Sequence, residues 1–319
     1  MEADETTDGE AGPRPRLGVS SCLLGEPVRF NGGHSRSRFL TSELGPHVDW
    51  VPYCPEIEIG LGTPRETLRL TMDGRLVSRS GAADHSAAIA ALPLTSGLDG
   101  YVFKAKSPSC GIHGVARYAQ GDQPADHSGR GLFAQRMMAR FGLLAVEDEG
   151  RLNDAMLREE FVERIFASAR LRALLSTAWQ PRDLVAFHAR HKLQLLAHDP
   201  ARYRTAGRVV AAAGSAPREA TETAYLDVFR AAMATRASPG RHVNALQHAF
   251  SRISRELGCG RRADLSARID SYRRGEDPLS VPIAILAHYA SDCELPWLAG
   301  QTYLQPFPPG LRLRHSVRR

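Results

Sequence analysis

Five short apolar runs divide the first half of the chain and strongly limit the folds open to it. The runs lie at 17–19, 48–53, 76–77, 101–103 and 143–146. Clusters of Gly, Pro and Ser separate them, as expected for buried strands joined by turns. Two segments with helical spacing, 84–92 and 134–141, lie between runs. This alternation predicts an α/β domain with a mostly parallel sheet and helices on both faces.

In the second half, apolar residues recur at helical spacing and no strand pattern competes. Helices are predicted at 152–179, 184–198, 203–213, 219–234, 243–257 and 283–290, with Pro181, Gly214, Gly240, Gly275 and Pro278 as breakers. A chain of 319 residues is long enough for two domains. We therefore expect an α/β domain at 15–160 and an all-α domain at 161–319. The charged, non-periodic segment 1–14 is expected to be a disordered tail.

Charge is distributed unevenly between the two halves. Residues 1–150 carry 15 Lys and Arg against 19 Asp and Glu, whereas residues 151–319 carry 26 against 16. A basic half of this kind predicts a polyanionic partner such as RNA, although a solvated Arg-rich helical surface gives the same count. The residues best placed to contact an RNA backbone are Lys192, Arg202, Arg204 and Arg208, with Tyr203 among them.

Composition excludes several other classes of protein. The fractions of charged and hydrophobic residues, 24% and 43%, are those of an ordinary globular protein. No apolar run reaches the roughly 18 residues of a bilayer span, and the acidic N-terminus does not resemble an export signal. We therefore expect a cytoplasmic protein without membrane contact. Five cysteines without an export signal argue against a disulfide framework and leave metal binding or nucleophilic chemistry open.

Cys22, Cys54 and Cys110 share one position relative to the predicted strands, because each follows an apolar run. The carboxyl ends of parallel strands meet at one edge of a sheet, so the three thiols can converge there. Three protein ligands leave one coordination position open, as in catalytic metal sites. Zinc with a bound water and a 4Fe-4S cluster with one iron lacking a protein ligand both fit. Three small buried hydrophobes would show the same spacing, but the Gly, Pro and Ser neighbours favour exposed turns.

The remaining candidate ligands lie in the helical half. Cys259 and Cys293, within LGCG and SDCE, have no further ligand residues nearby, and we expect both to be structural. His188 and His191 are one helical turn apart and could form half of a metal site. Packing or phosphate contact is the expected role, because no Cys or Glu partner stands at a suitable spacing.

Three segments around the cysteines resemble a known family. They are GVSSCLLGEPVRFNG (18–32), VPYCPEIEIGLGTPRETLRL (51–70) and DGYVFKAKSPSCG (99–111). Together they resemble the thiouracil desulfidases, iron-sulfur enzymes that remove sulfur from thiolated pyrimidines, over roughly residues 16–160.

Four segments of the second half extend the resemblance. They are FHARHKLQLLAHDPARYRTAGRVVA (187–211), HVNALQH (242–248), PLSVPIAILAHY (278–289) and QTYLQPFPPGLRLR (301–314). These resemble the helical domain that accompanies the desulfidase domain, and the whole chain is similar to the two-domain transfer RNA 4-thiouridine desulfidases. One departure is the Ala-Phe-Ser-Arg that follows Gln247-His248, where a Gly-aromatic pair is expected.

The resemblance implies a catalytic centre. Cys22, Cys54 and Cys110 would hold a 4Fe-4S cluster whose open iron binds the leaving sulfur. Glu56 would take a proton from the attacking water and later return it, with Glu58 as the reserve. A solvated turn carboxylate is the alternative reading of either residue.

Further residues near the cysteines are candidates for substrate contact. Ser107 and Ser109 are the candidate catalytic hydroxyls, although hydrogen bonding within the turn is the commoner role. Asn31, Lys104 and Lys106 are candidate contacts to the base, a phosphate or the cluster, and turn chemistry or surface solvation would also explain them.

The predicted function is desulfuration of 4-thiouridine in transfer RNA to uridine with release of sulfide. The helical domain would bind the transfer RNA. One alternative is a desulfidase for free thiopyrimidine bases, in which the basic half mediates oligomerisation. The other is a non-catalytic metal-containing protein that binds RNA or senses redox state.

Overall fold

A computed structural model describes residues 12–119 and 121–314. Most of the predicted N-terminal tail, residues 1–11, lies outside the described residues. Arg14 is described, and its guanidinium donates hydrogen bonds to the Asp49 carboxylate and to the carbonyls of Pro46 and Val48.

The main sheet of the first half is entirely parallel, with strand order β2-β1-β5-β8. Its strands are β1 (Arg16–Ser20), β2 (Asp49–Tyr53), β5 (Gly100–Phe103) and β8 (Ala145–Asp148). Each of these strands contains or overlaps one of the predicted apolar runs. The helices α1 (Pro55–Glu58), α2 (Ser86–Ala91) and α3 (Leu132–Arg140) lie between strands along the chain. This arrangement confirms the predicted α/β class with a mostly parallel sheet.

A second four-stranded sheet has the order β4-β3-β6-β7. Its strands are β3 (Leu68–Thr71), β4 (Leu76–Ser78), β6 (Val115–Tyr118) and β7 (Asp126–Gly129). β3 and β6 are parallel, and the two outer pairs are antiparallel. Only β4 corresponds to a predicted run. The other three were missed because their sequences, LRLT, VARY and DHSG, mix apolar and polar residues without a continuous apolar run.

The second half is helical, as predicted. Its helices are α4 (Ala155–Leu175), α5 (Pro181–Arg190), α6 (Lys192–His198), α7 (Pro200–Ala212), α8 (Arg218–Met233), α9 (Pro239–Ile253), α10 (Cys259–Arg274), α11 (Ser280–Asp292) and α12 (Pro296–Ala299). The helix predicted at 184–198 is two helices separated at His191. α10 was not predicted, because its sequence is strongly polar and buries only Leu265, Ile269 and Tyr272. No helix of the described ranges is long and apolar enough to cross a membrane.

α4 and the C-terminal segment join the two halves through a shared core. α4 spans residue 160, the end of the predicted α/β domain, and Ile165 on this helix packs in one apolar cluster with Leu17 and Val102 of the main sheet. Gly100 permits this close approach, since a Cβ there would lie 2.6 Å from Ile165 Cγ2. Phe307 belongs to the same cluster, so the chain returns to the α/β core after the last helices.

Candidate active site at the carboxyl ends of three strands

The three cysteines of the first half follow three adjacent strands of the main sheet. Cys22 comes two residues after β1, Cys54 directly after β2 and Cys110 seven residues after β5. β1 lies between β2 and β5 in a parallel arrangement, so all three strands end at the same edge. The three cysteines line one cavity of about 420 Å³. The fold therefore brings together residues that are 32 and 56 positions apart in sequence.

The thiols lie in an environment that disfavours their ionised form without a cation. Burial, with a smaller contribution from Cys54, raises the pKa of Cys22 to about 11. Burial also raises the pKa of Cys54 and raises that of Cys110 well above its usual range. Lys104 lowers the pKa of Cys22, and a hydrogen bond from Ser20 lowers the pKa of Cys110, but burial has the larger effect on both. Bound metal would favour deprotonation of such thiols, because it offsets the charge of the thiolate.

Glu56 lies in the first turn of α1 and lines the same cavity. Its Oε2 accepts a hydrogen bond from Arg65 Nε at 2.9 Å, and its Oε1 accepts one from Ser109 Oγ at 2.8 Å. The side chains of Arg65 and Glu56 are only 8% and 14% exposed. Glu58, by contrast, is exposed and is not among the residues that line the cavity. The structure therefore distinguishes the two carboxylates that sequence reasoning considered for proton transfer.

Arg65 was not identified from the sequence as a site residue. Besides Glu56, it binds the loop that follows β1 and Cys22: its Nη2 donates to the Val28 carbonyl at 2.9 Å, and its backbone N–H donates to the Phe30 carbonyl at 2.8 Å. A largely buried carboxylate requires a cationic or hydrogen-bonding partner. The first arginine of TPRETLRL, which follows Glu56 closely in the sequence, could have been identified as that partner. Arg65 thus fixes both the carboxylate and one wall of the cavity.

The two serines before Cys110 have different roles in the geometry. Ser107 lines the cavity, and its Oγ accepts the backbone N–H groups of Ser109 at 3.3 Å and Cys110 at 3.2 Å. Ser109 is fully buried and donates its hydroxyl to Glu56. Ser107 therefore holds the turn that carries Cys110, while Ser109 orients the carboxylate.

Two of the three candidate substrate contacts line the cavity, and the third does not. Lys104 and Lys106 line it. Lys104 Nζ bonds to the Glu149 carboxylate and to the Ala105 carbonyl at 3.2 Å, whereas Lys106 is exposed. Asn31 does not line the cavity, and its Oδ1 accepts the Gly33 N–H at 3.1 Å within the loop.

The residues predicted to contact RNA lie on the helical half, outside this cavity. Arg202, Arg204 and Arg208 are exposed on α7. Arg202 donates to Thr235 Oγ1 at 3.3 Å, and Arg208 donates to Thr205 Oγ1 at 2.9 Å. Lys192 lies 5.9 Å from the centroid of the Trp297 ring.

His188 and His191, the two histidines considered as half of a metal site, are both buried in the helical half. His188 Nδ1 lies 3.1 Å from the Tyr225 hydroxyl, and burial lowers the pKa of His188 to about 4. His191 is fully buried, with Nδ1 2.8 Å from the Phe187 carbonyl. Across residues 12–119 and 121–314, no group of three or more His, Cys, Asp or Glu side chains is arranged to hold a single metal ion.

Comparison with known proteins defines the two parts of the chain. Residues 17–149 match the family model of 2-thiouracil desulfurase, and residues 192–308 match that of a protein family of unknown function, DUF1722. The first match covers most of the α/β part of the chain, and the second lies within its helical part.

Two individual proteins resemble the chain. The uncharacterized protein YbgA of Escherichia coli is 34% identical over 157 residues, which cover 48% of this chain and 91% of YbgA. The chain therefore belongs to the family of YbgA. The solved structure of a 4Fe-4S-dependent thiouracil desulfidase, TudS, is 28% identical and covers 47% of this chain and 100% of that one, with a TM-score of 0.38.

Proposed function

We propose that this protein removes sulfur from a thiolated uracil, with 4-thiouridine in transfer RNA as the substrate and uridine and sulfide as the products. The observation that carries the proposal is the convergence of Cys22, Cys54 and Cys110 on one cavity that also contains Glu56. The match of residues 17–149 to the 2-thiouracil desulfurase family supports the same chemistry.

We assign the binding of a 4Fe-4S cluster to the three cysteines. The donor set fits, because three soft sulfur ligands line the cavity and the only carboxylate among its described lining residues, Glu56, is already bound to Arg65. In such a cluster each cysteine ligates a different iron, so the thiols need not surround one ion. When bound, the cluster supplies a soft Lewis acid for the thiocarbonyl sulfur.

The residues of the chain then handle the water and its protons. Replacement of C=S by C=O consumes one water and yields hydrogen sulfide, so no electron donor or acceptor is needed. Glu56 Oε1 accepts one hydrogen bond from Ser109 and has a second lone pair. With this lone pair it takes a proton from the attacking water. Glu56 then returns the proton to the departing sulfur, which leaves as hydrosulfide, and the remaining hydroxyl proton is released to solvent as the carbonyl forms. Arg65 and Ser109 hold the carboxylate in place for both transfers.

The helical half favours transfer RNA over a free base as the substrate. Residues 151–319 carry the excess of basic residues, and three of their arginines are exposed together on α7. Contacts from such residues to phosphates would supply affinity that does not depend on sequence. Part of that binding free energy would offset the few kcal/mol needed to extrude the thiolated base from its stack.

The test is turnover by anaerobically purified, iron-loaded protein. We expect loss of the thiocarbonyl absorbance of 4-thiouridine-containing transfer RNA and equimolar release of sulfide. The Cys54→Ala variant should be inactive, whereas Cys293→Ala, a cysteine outside the cavity, should be as active as the wild type. If the protein turns over only free 4-thiouracil, the free base and not transfer RNA is the substrate. If the iron-loaded protein acts on neither compound, the proposed desulfuration is refuted.

A further inference from the structure

Phe30 is an aromatic residue that the fold leaves exposed at the cavity of the three cysteines. It is 40% exposed, and it lines the cavity. The other exposed large apolar residues of the described chain are Met72, Val185 and Trp297, and none of them lines the cavity. An uncovered ring at the edge of a cavity offers a flat apolar surface to whatever enters there.

The backbone that carries Phe30 is held firmly. The Phe30 carbonyl accepts the backbone N–H of Arg65 at 2.8 Å, and the Arg65 side chain bonds to the Val28 carbonyl and to Glu56. The position of the Phe30 backbone is therefore coupled to the position of the candidate catalytic carboxylate. A backbone segment held in this way loses little conformational entropy when a ligand stacks on its side chain.

The turn that follows Phe30 adds to this rigidity. Arg29 N–H donates to the Gly33 carbonyl at 3.1 Å, and Asn31 Oδ1 accepts the Gly33 N–H at 3.1 Å. Gly32 has a φ of +72°, a conformation that favours glycine. Asn31, a predicted substrate contact, thus supports the turn that presents Phe30.

Two basic side chains line the same cavity as the exposed ring. The Arg29 guanidinium carbon lies 5.7 Å from the centroid of the Phe30 ring, and Arg29 also lines the cavity. Lys106 lines it too and is exposed. An aromatic surface with basic side chains at the same cavity is the combination that binds single-stranded nucleic acid, through base stacking and phosphate contacts.

We propose that Phe30, Arg29 and Lys106 form a contact surface for the nucleotides next to the thiolated uridine. Phe30 stacks on a neighbouring base, and the two cations contact the adjoining phosphates. This inference rests on the proposed function, because it requires that the thiolated base arrive as part of an RNA chain. A free thiopyrimidine has no neighbouring nucleotide, so this surface discriminates between the two classes of substrate.

The test compares two substrates with the iron-loaded Phe30→Ala variant. We expect kcat/KM for a short single-stranded RNA containing 4-thiouridine to fall about 5- to 150-fold, the equivalent of one stacking interaction of about 1–3 kcal/mol. The fold decrease in kcat/KM for free 4-thiouracil should be at least five times smaller than the fold decrease for the RNA. Phe30→Trp, which keeps a stacking surface, should restore RNA turnover. Val185→Ala, at an exposed apolar residue remote from the cavity, should leave both activities unchanged.

A binding measurement makes the result independent of turnover. Fluorescence anisotropy with an unmodified RNA of the same sequence should show weaker binding to Phe30→Ala than to the wild type or to Phe30→Trp. Equal losses on RNA and on free base would show that Phe30 only shapes the cavity and would overturn the inference, as would unchanged RNA binding and turnover. Wild-type protein that binds the RNA through Phe30 but never desulfurates it would overturn the proposed function instead.

Discussion

Two polar clusters in this molecule are almost equally buried, yet one is closed and the other opens on a cavity. In the closed cluster, the side chains of Glu163 on α4 and Arg314 at the end of the described chain are each 5% exposed. Glu163 Oε1 accepts hydrogen bonds from Gln194 Nε2 at 2.8 Å and Arg314 Nη2 at 3.2 Å, and Arg314 Nη1 donates to the Tyr303 carbonyl at 2.6 Å. These groups bind one another and join distant parts of the chain.

The open cluster at the three cysteines has a different balance. Glu56 and Arg65 are paired, but three thiols face the cavity beside them. The hydroxyl of Tyr53, another lining residue, has no hydrogen-bond partner within the described structure. Polar groups that share all their bonds with one another stabilise a fold, whereas groups that converge on an open volume are available to a ligand. We therefore propose a structural role for the first cluster and a chemical role for the second.

The largest effect is expected from the open cluster. Glu56→Gln keeps the size and one acceptor of the side chain but removes its ability to take a proton. We expect kcat for thiolated RNA to fall by about 10²- to 10⁴-fold, with iron content and melting temperature retained. Glu58→Gln is the matched control, because Glu58 is exposed and outside the cavity. Equal effects of the two substitutions would remove Glu56 from the mechanism.

The closed cluster should respond in stability instead. Arg314→Ala leaves Glu159 and Glu163 without their shared cation, and we expect a loss of about 3–5 kcal/mol in the free energy of unfolding. Urea denaturation is the measurement, with Arg312→Ala as the control because Arg312 is exposed. If Arg314→Ala lowered activity without lowering stability, the division between a structural and a chemical cluster would fail.

Acid should weaken the helical half through His188. Its pKa is lowered by burial from 6.5 to about 4, so the unfolded chain binds a proton more readily than the folded one. Stability is therefore highest above pH 6.5 and falls as the pH drops toward 4, by roughly 3 kcal/mol for this residue. Urea midpoints between pH 7.5 and 4.5 should show a shallower fall for His188→Gln than for the wild type. Parallel curves for the two proteins would contradict the assignment.

The smallest effect concerns the exposed arginines of α7. Arg204→Ala combined with Arg208→Ala should weaken transfer RNA binding and reduce the slope of log affinity against log salt by about 1 to 2, one phosphate contact per residue. Arg75→Ala is the control, because Arg75 is an exposed arginine in the turn between β3 and β4 and bonds to Asp73. An unchanged slope would place the RNA contacts elsewhere on the protein.

The order of secondary structure was largely predictable from the sequence, because continuous apolar runs and helical periodicity reflect burial on a sheet or one helix face. Most of the second sheet was not predicted, because strands such as Asp126–Gly129 are stabilised by pairing rather than by their own apolar content. α10 was not predicted for a similar reason, since most of its residues are exposed and polar.

Within the candidate site, local motifs indicated the cysteines and Glu56, which follow strand ends. Arg65 and Phe30 were not identified, because their importance depends on contacts between separate loops. The bond from the Arg65 backbone to the Phe30 carbonyl joins residues 35 positions apart, and no periodicity encodes it. The exposure of Phe30 could not be predicted either, since a large aromatic side chain is normally expected to be mostly buried.

The most direct measurement is the iron and acid-labile sulfide content of anaerobically purified protein. We expect about four irons and four sulfides per chain in the wild type and in Cys293→Ser. We expect loss of both in Cys22→Ser, Cys54→Ser and Cys110→Ser. A wild-type protein that contains zinc instead, or a full complement of iron in any of these three variants, would contradict the claim that the three thiols jointly hold a cluster.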